Sequence, residues 1–136
     1  MEGREPARGR IESELAREIR ARPEIMLALL HGSFLETGPF RDVDVAIWLD
    51  PVQTTASQRF QYALDLSTRL SSDLGCSIDV HVLNDAVLAF RYHALAGRPL
   101  LVRDEELLAE LRARTWDDYF DFQPFARAYL REALRG

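Results

Sequence analysis

The chain has 136 residues, 47% of them hydrophobic and 29% charged, with a formal net charge of −5. This length gives one compact domain, residues 1–136, rather than two ordinary ones, and the composition excludes a disordered chain. The acidic balance argues against a broad electrostatic grip on nucleic acid, and with no lysine among the 17 basic residues neither a Walker-type nor a Schiff-base lysine can exist.

Residues 1–9 are polar, carry Gly and Pro, and are expected to be irregular. From residue 10 to 22, Ile11, Leu15 and Ile19 recur every four positions, which predicts an amphipathic helix ended by Pro23. The apolar run 25–30 suits a buried strand, which Gly32-Ser33 breaks. Ser33 to Glu36 has the S-x-x-E form of a capping box, so a short helix is expected from Ser33. After the turn signal Gly38-Pro39, residues 43–49 read as a strand. Val43, Val45, Ile47 and Leu49 share its apolar face, while Asp42 and Asp44 point from the other beside Ala46 and Trp48.

Between residues 55 and 73 a helix is predicted, with Phe60, Ala63, Leu64, Leu70 and Leu74 near one face and Gly75 as its C′ residue. Residues 76–83 read as a third strand, on which Asp79 and His81 face away from Ile78, Val80 and Val82. Asn84 is placed to cap a helix that reaches about residue 96 and stops at Gly97. Residues 99–102 form a short extended piece, Asp104 caps a long helix toward Phe122, and Pro124 starts a last helix, so 104–135 are C-terminal helices. This order predicts an α/β (α+β) domain whose small sheet is covered by helices on one face, leaving Asp42, Asp44 and Asp79 on the opposite, open face.

No apolar run reaches the roughly 20 residues that span a bilayer, and the first ten residues lack an apolar signal region. With Cys76 as the lone cysteine, a cytoplasmic protein without membrane contact is expected.

Two carboxylates placed two residues apart at the start of a strand repel each other, and a hard cation with oxygen ligands offsets that repulsion. A strand ending in Gly32-Ser33 presents free backbone N–H groups to a phosphate. If the second and third strands are neighbours, Asp79 joins Asp42 and Asp44, and the set suits displacement at phosphorus. His31, His81 and His93 are read as packing or exposed positions outside this site.

Gly32-Ser33, eight intervening residues, Asp42-Val43-Asp44 and the later Asp79 resemble the DNA polymerase β-type nucleotidyltransferase superfamily. The short chain resembles its minimal nucleotidyltransferases, the MNT antitoxins that pair with HEPN toxins. The resemblance implies a polymerase β palm-like fold with a small mixed sheet. It implies that Asp42, Asp44 and Asp79 hold two Mg²⁺ ions, that Gly32 and Ser33 hold the β and γ phosphates of an NTP, ATP above all, and that Asp79 helps deprotonate the acceptor. The activity implied is transfer of AMP to a tyrosine of a HEPN-domain toxin, within a hetero-oligomeric pair of type VII-like organisation.

Relatives read GSxAR-G where this chain has Glu36 in place of the arginine and one extra residue before Gly38. A carboxylate near a bound phosphate costs on the order of 0.3–1 kcal/mol if exposed. This keeps open an antitoxin that neutralises its partner by binding alone, and a third reading, with a small molecule of the aminoglycoside type as acceptor. Six of the 13 aromatics (Trp116, Tyr119, Phe120, Phe122, Phe125 and Tyr129) fall within residues 116–129, more than one helix face buries, so this end is expected to touch a partner.

Overall fold

The structure, a computed structural model, describes the backbone of residues 4–135 and the side chains of residues 8–122 and some later positions. Helix α1 (Arg4–Arg20) buries Ile11, Leu15 and Ile19 as their spacing requires. It begins well before the apolar repeat, so residues 4–9 are helical rather than irregular, and residues 1–3 lie outside the described ones. Pro6 sits in the first turn, where a missing N–H loses no helical bond.

Strands β1 (Ile25–His31), β2 (Val43–Leu49), β3 (Ile78–Val82) and β4 (Arg98–Val102) form one sheet in the order β3-β2-β1-β4. β1 runs antiparallel to β2 and β4, and β2 runs parallel to β3, so the sheet is mixed. The expected extended piece around Pro99 is thus a fourth strand, and it lies at an edge, where a strand tolerates proline. The other edge is closed by helix α2 (Ala56–Leu74). The Ser67 and Ser71 hydroxyls accept hydrogen bonds from the Val80 and Ile78 N–H groups, each at 2.8 Å. Donors that would otherwise invite a further strand are satisfied there.

One face of the sheet carries Val43, Val45, Ile47 and Leu49 against α1 and α2, the apolar face expected of β2. Each fully buried Leu or Ile there contributes about 1.5–3 kcal/mol. The second face is also partly covered. Helices α3 (Leu88–Leu95) and α4 (Glu105–Arg135) pack Leu95, Leu108 and Leu111 over Leu27, Leu29 and Ala46. At the end of that face nearest the start of β2, Asp44 and His81 are half-buried and Asp79 is exposed.

Several local expectations change. Helix α2 is capped at Thr55 by a reciprocal box with Gln58 and ends at Gly75 in the left-handed conformation, as foreseen for the glycine. Its buried stripe, however, is Ala63, Leu66 and Leu70, while Phe60 is 69% and Leu64 49% exposed. Turning Ser67 and Ser71 toward β3 rotates those two residues off the core. Asn84 does not cap α3. Its side-chain amide accepts from the Leu49 N–H at 2.9 Å and donates to the Leu49 carbonyl at 2.8 Å, lengthening the β2–β3 pairing by one side chain. Asp104 does accept from the Leu107 N–H at 3.1 Å, as a cap should.

The two expected C-terminal helices are one, with Pro124 inside α4. Proline there removes a single backbone bond, to the carbonyl four residues back, and the flanking helix formers carry the helix through. Of the C-terminal aromatics, Tyr119 stacks on Tyr92 at 3.8 Å, Phe120 and Phe122 are exposed, and the side chains of Phe125 and Tyr129 lie outside the described residues. No helix among the described residues is long and apolar enough to cross a membrane.

Candidate active site

Register builds the site. In the antiparallel pair His31 stands opposite Asp44, and in the parallel pair Asp44 stands opposite Asp79. Neighbours in register project from the same face, so the carboxylates of β2 and β3 come together at that end of the sheet. His81, two residues beyond Asp79, joins them. One ligand atom from each of Asp44, Asp79 and His81 lies within 4.8 Å of the others. The His81 Nε2 is 3.7 Å from Asp44 Oδ1. Asp42 is half-buried immediately before β2 and is not part of that cluster.

The turn between β1 and β2 closes the site from one side. Residues Gly32–Leu35 form a single 3-10 turn with His31 as its N-cap and Glu36 at its far end. Gly32 has φ +82°, and a Cβ on it would lie 2.6 Å from Asp44 Oδ2. The glycine is therefore required twice, by its conformation and by the carboxylate it touches. Ser33 is exposed, and no capping box with Glu36 forms. Ser33 lies inside the turn instead of at its cap, and its carbonyl accepts the Glu36 N–H at 3.0 Å. Glu36 thus stands at the end of the turn away from Gly32.

The turn is held from α1. Arg8 Nε donates to the Phe34 carbonyl at 3.1 Å, and one terminal nitrogen donates to the carbonyls of Glu36 and Gly38 at 2.9 and 3.0 Å. The guanidinium also lies over the Phe40 and Phe34 rings, 4.7 and 5.3 Å from their centroids. A cation, two rings and three carbonyls thereby fix a loop that has almost no regular structure of its own.

Behind the carboxylates the histidines pack together. Phe90 of α3 meets both His31 and His81, with ring centroids 5.4 and 5.2 Å away. Burial pushes the His31 imidazole below its ordinary pKa, against the pull of the Asp44 carboxylate and with His81 adding to the lowering. Its buried Nε2 has no hydrogen-bond partner among the described residues. Beside Asp79 and His81 opens a mainly apolar groove of about 730 Å³, walled by Phe60, Leu64, Val87 and Phe90.

Two carboxylates and one imidazole nitrogen converging beside a glycine backbone suit a divalent cation, which accepts both donor types. Of the sequence-derived candidates, Gly32, Asp44 and Asp79 meet in one place, Ser33 follows Gly32 on the turn, and Asp42 stands apart from the cluster. His81 was placed outside the site by the sequence reading. Its alternation with Asp79 was the signal, and only the β2–β3 register turns that alternation into a contact.

A family model described as polymerase beta, nucleotidyltransferase matches residues 13–106. No curated protein matches the chain by sequence. Among solved structures, the fold is similar to that of a mutant of the toxin–antitoxin MntA–HpeT, at TM-score 0.74 and 18% identity over 90% of this chain and 98% of that one. It is similar to a chain in the complex of tri-AMPylated Shewanella oneidensis HEPN toxin with MNT antitoxin, at TM-score 0.72 and 18% identity over 93% and 98%. A toxin–antitoxin structure with AMP-PNP gives TM-score 0.72 and 19% identity over 90% and 98%. At these identities the likeness establishes the fold.

Proposed function

The chain belongs to the polymerase β-type nucleotidyltransferase family, and from that premise we propose that it is an MNT antitoxin that transfers AMP from ATP to a tyrosine hydroxyl of a HEPN toxin. The observation that carries the reading is the pairing of Asp44 with Asp79 on adjacent parallel strands, with Gly32 packed against the Asp44 carboxylate. One similar structure holds a tri-AMPylated HEPN toxin with an MNT antitoxin, and another holds AMP-PNP, which supports the adenine nucleotide and a HEPN toxin as the acceptor protein.

On this reading residues 1–136 work as one nucleotidyltransferase domain in the cytoplasm, and the exposed Phe120 and Phe122 of α4 contribute to the toxin contact. Asp44 and Asp79 would hold Mg²⁺, with Asp42 outside their cluster just before β2, and Gly32 and Ser33 would offer backbone N–H groups and a hydroxyl to the β and γ phosphates. Bound Mg²⁺ neutralises the triphosphate and favours an ionised acceptor oxygen. The acceptor oxygen bonds to the α phosphorus, the bond from that phosphorus to the bridging oxygen breaks, and pyrophosphate leaves. Asp79, the most exposed of the carboxylates, takes the hydroxyl proton. Its exposure lets it meet an acceptor that arrives on a separate protein.

The rival, neutralisation by binding alone, draws on Glu36 standing near the phosphate turn. ATP labelled separately at the α and γ phosphates, with Mg²⁺ and the protein encoded beside this one, separates the two. The expected result is α label alone on the partner, lost in Asp44→Asn. Label from γ means phosphoryl transfer and overturns the mechanism. No label with a stable complex makes the protein a binding antitoxin.

A further inference from the structure

We infer that His81 is a metal ligand, and that the ion held between Asp44 and Asp79 is Mn²⁺ in preference to Mg²⁺. This rests on the metal-dependent reading of the site above and adds a donor that the carboxylate motif does not contain.

The geometry comes first. At 3.7 Å the His81 Nε2 is too far from Asp44 Oδ1 for a hydrogen bond, so the imidazole is not spent on that carboxylate. Donors at about 2.1 Å from one octahedral ion stand roughly 3.0 Å apart when adjacent and 4.2 Å when opposite. The 3.7 Å separation lies between those two values, and all three donors lie within 4.8 Å of one another. The ring is also oriented. Contacts with Phe90 at 5.2 Å and His31 at 6.0 Å pack it from behind. His81, and not Asp42, is the third group whose ligand atom meets those of Asp44 and Asp79 within 4.8 Å.

The donor set then decides the ion. Mg²⁺ is a hard cation that keeps oxygen ligands and gives up water reluctantly. Imidazole suits the later first-row ions, carboxylate and water suit Mn²⁺ as they suit Mg²⁺, and Mn²⁺, itself a first-row transition ion, is the one of that pair that accepts an imidazole beside two carboxylates. Six-coordinate Mn²⁺ with three protein donors also leaves three positions for phosphate oxygens, where a tetrahedral Zn²⁺ would leave one. The rest of the structure agrees with a built site, since Gly32 leaves room beside Asp44 that any side chain would fill.

The test is a titration of the full-length protein with Mn²⁺, followed by the electron paramagnetic resonance signal of the free ion, with Mg²⁺ as competitor. Pulsed resonance on the bound ion then reads nitrogen coupling. The expected result is Mn²⁺ preferred by at least about tenfold, with a ¹⁴N coupling from one imidazole. His81→Asn should remove the coupling and weaken Mn²⁺ roughly tenfold or more. His81→Asp should restore binding without the preference, and His31→Asn should leave the coupling in place. Bound Mn²⁺ without ¹⁴N coupling in the unaltered protein, coupling that survives His81→Asn, or equal affinity for the two ions would each overturn the proposal. Transfer of α label without nitrogen coupling sinks this inference and leaves the function standing. Nitrogen coupling without any transfer does the reverse.

Discussion

Gly32 and Asp44 touch across the turn, so closely that the glycine's missing Cβ is what gives the carboxylate its position. A Cβ there would meet Asp44 Oδ2 at 2.6 Å and Cγ at 3.5 Å, and φ of +82° disfavours any other residue. Gly32→Ala should cost about 1–2 kcal/mol from the left-handed conformation alone. It should also push the carboxylate off its place and lower Mn²⁺ affinity about tenfold or more, by the same resonance titration. Because Asp44→Ala removes the Oδ2 and Cγ contacts and leaves the Cβ at 3.7 Å, Gly32→Ala in that background should keep the conformational cost and lose the carboxylate contact cost. Equal costs in both backgrounds would show that the contact is immaterial.

Arg8 is a positioning residue for the phosphate turn on this account, although it lies on a different helix from any candidate ligand. Its three hydrogen bonds all end on carbonyls of the loop after Ser33. Arg8→Met keeps the aliphatic stem and removes the donors. Stability should fall by about 1–3 kcal/mol, as for loss of charged hydrogen bonds. The KM for ATP should rise severalfold while kcat changes little, and Mn²⁺ affinity should not move. A fall in kcat at unchanged KM would mean the turn is not what Arg8 positions.

Alternation makes much of this site legible in the sequence. Residues 43–49 have one wholly apolar face, and the structure buries that face in the core. Asp44 and Asp79 could be named because each is a carboxylate alternating with buried aliphatic residues. Their adjacency was conditional on two strands being neighbours, which alternation does not encode. His81 was lost for the same reason, since a lone exposed strand histidine has no visible partner along its own strand. Asn84 and Phe60 misled through tertiary override. An amide that looks like a cap is worth more when it pairs with Leu49, and an aromatic on an apolar helical stripe is left out once serines turn toward the sheet edge. Nothing in the local sequence carries those preferences.

Gly97 marks a second close approach, to β1, the strand that pairs with β2 and its Asp44. A Cβ on it would lie 2.1 Å from the Leu30 carbonyl oxygen and 3.1 Å from the Leu30 carbonyl carbon. Backbone cannot rotate away as a side chain can. Gly97→Ala must therefore move β1 or the start of β4, and β1 ends at His31 beside the site. Overpacking of this kind costs about 1–3 kcal/mol or more. Urea unfolding should register at least about 2 kcal/mol of that range, and a loss under about 0.5 kcal/mol would mean that the strands shift freely.

The last prediction concerns the rim of the apolar groove, where Arg59 of α2 grips Asp85 with two parallel bonds, Nε to Oδ2 at 2.9 Å and a terminal nitrogen to Oδ1 at 3.0 Å. The bond to Arg59 holds the Asp85 carboxyl below its ordinary pKa, against a smaller opposing effect of burial. A carboxyl lowered on folding contributes stability that is present above its unfolded pKa of about 3.9 and lost as pH falls through the folded value. Asp85 is 44% exposed, so solvent screens the pair and its worth is about 0.2–1 kcal/mol despite the two-pronged geometry. Asp85→Asn keeps the shape and removes the charge. Its deficit against the unaltered protein should be constant from pH 7 to about 5 and close as pH drops below about 4. Urea unfolding at pH 7 and pH 3.5 measures both ends. A deficit that persists or widens in acid would mean that the mutation acts through packing at the groove, and that the Arg59–Asp85 charge contributes nothing there.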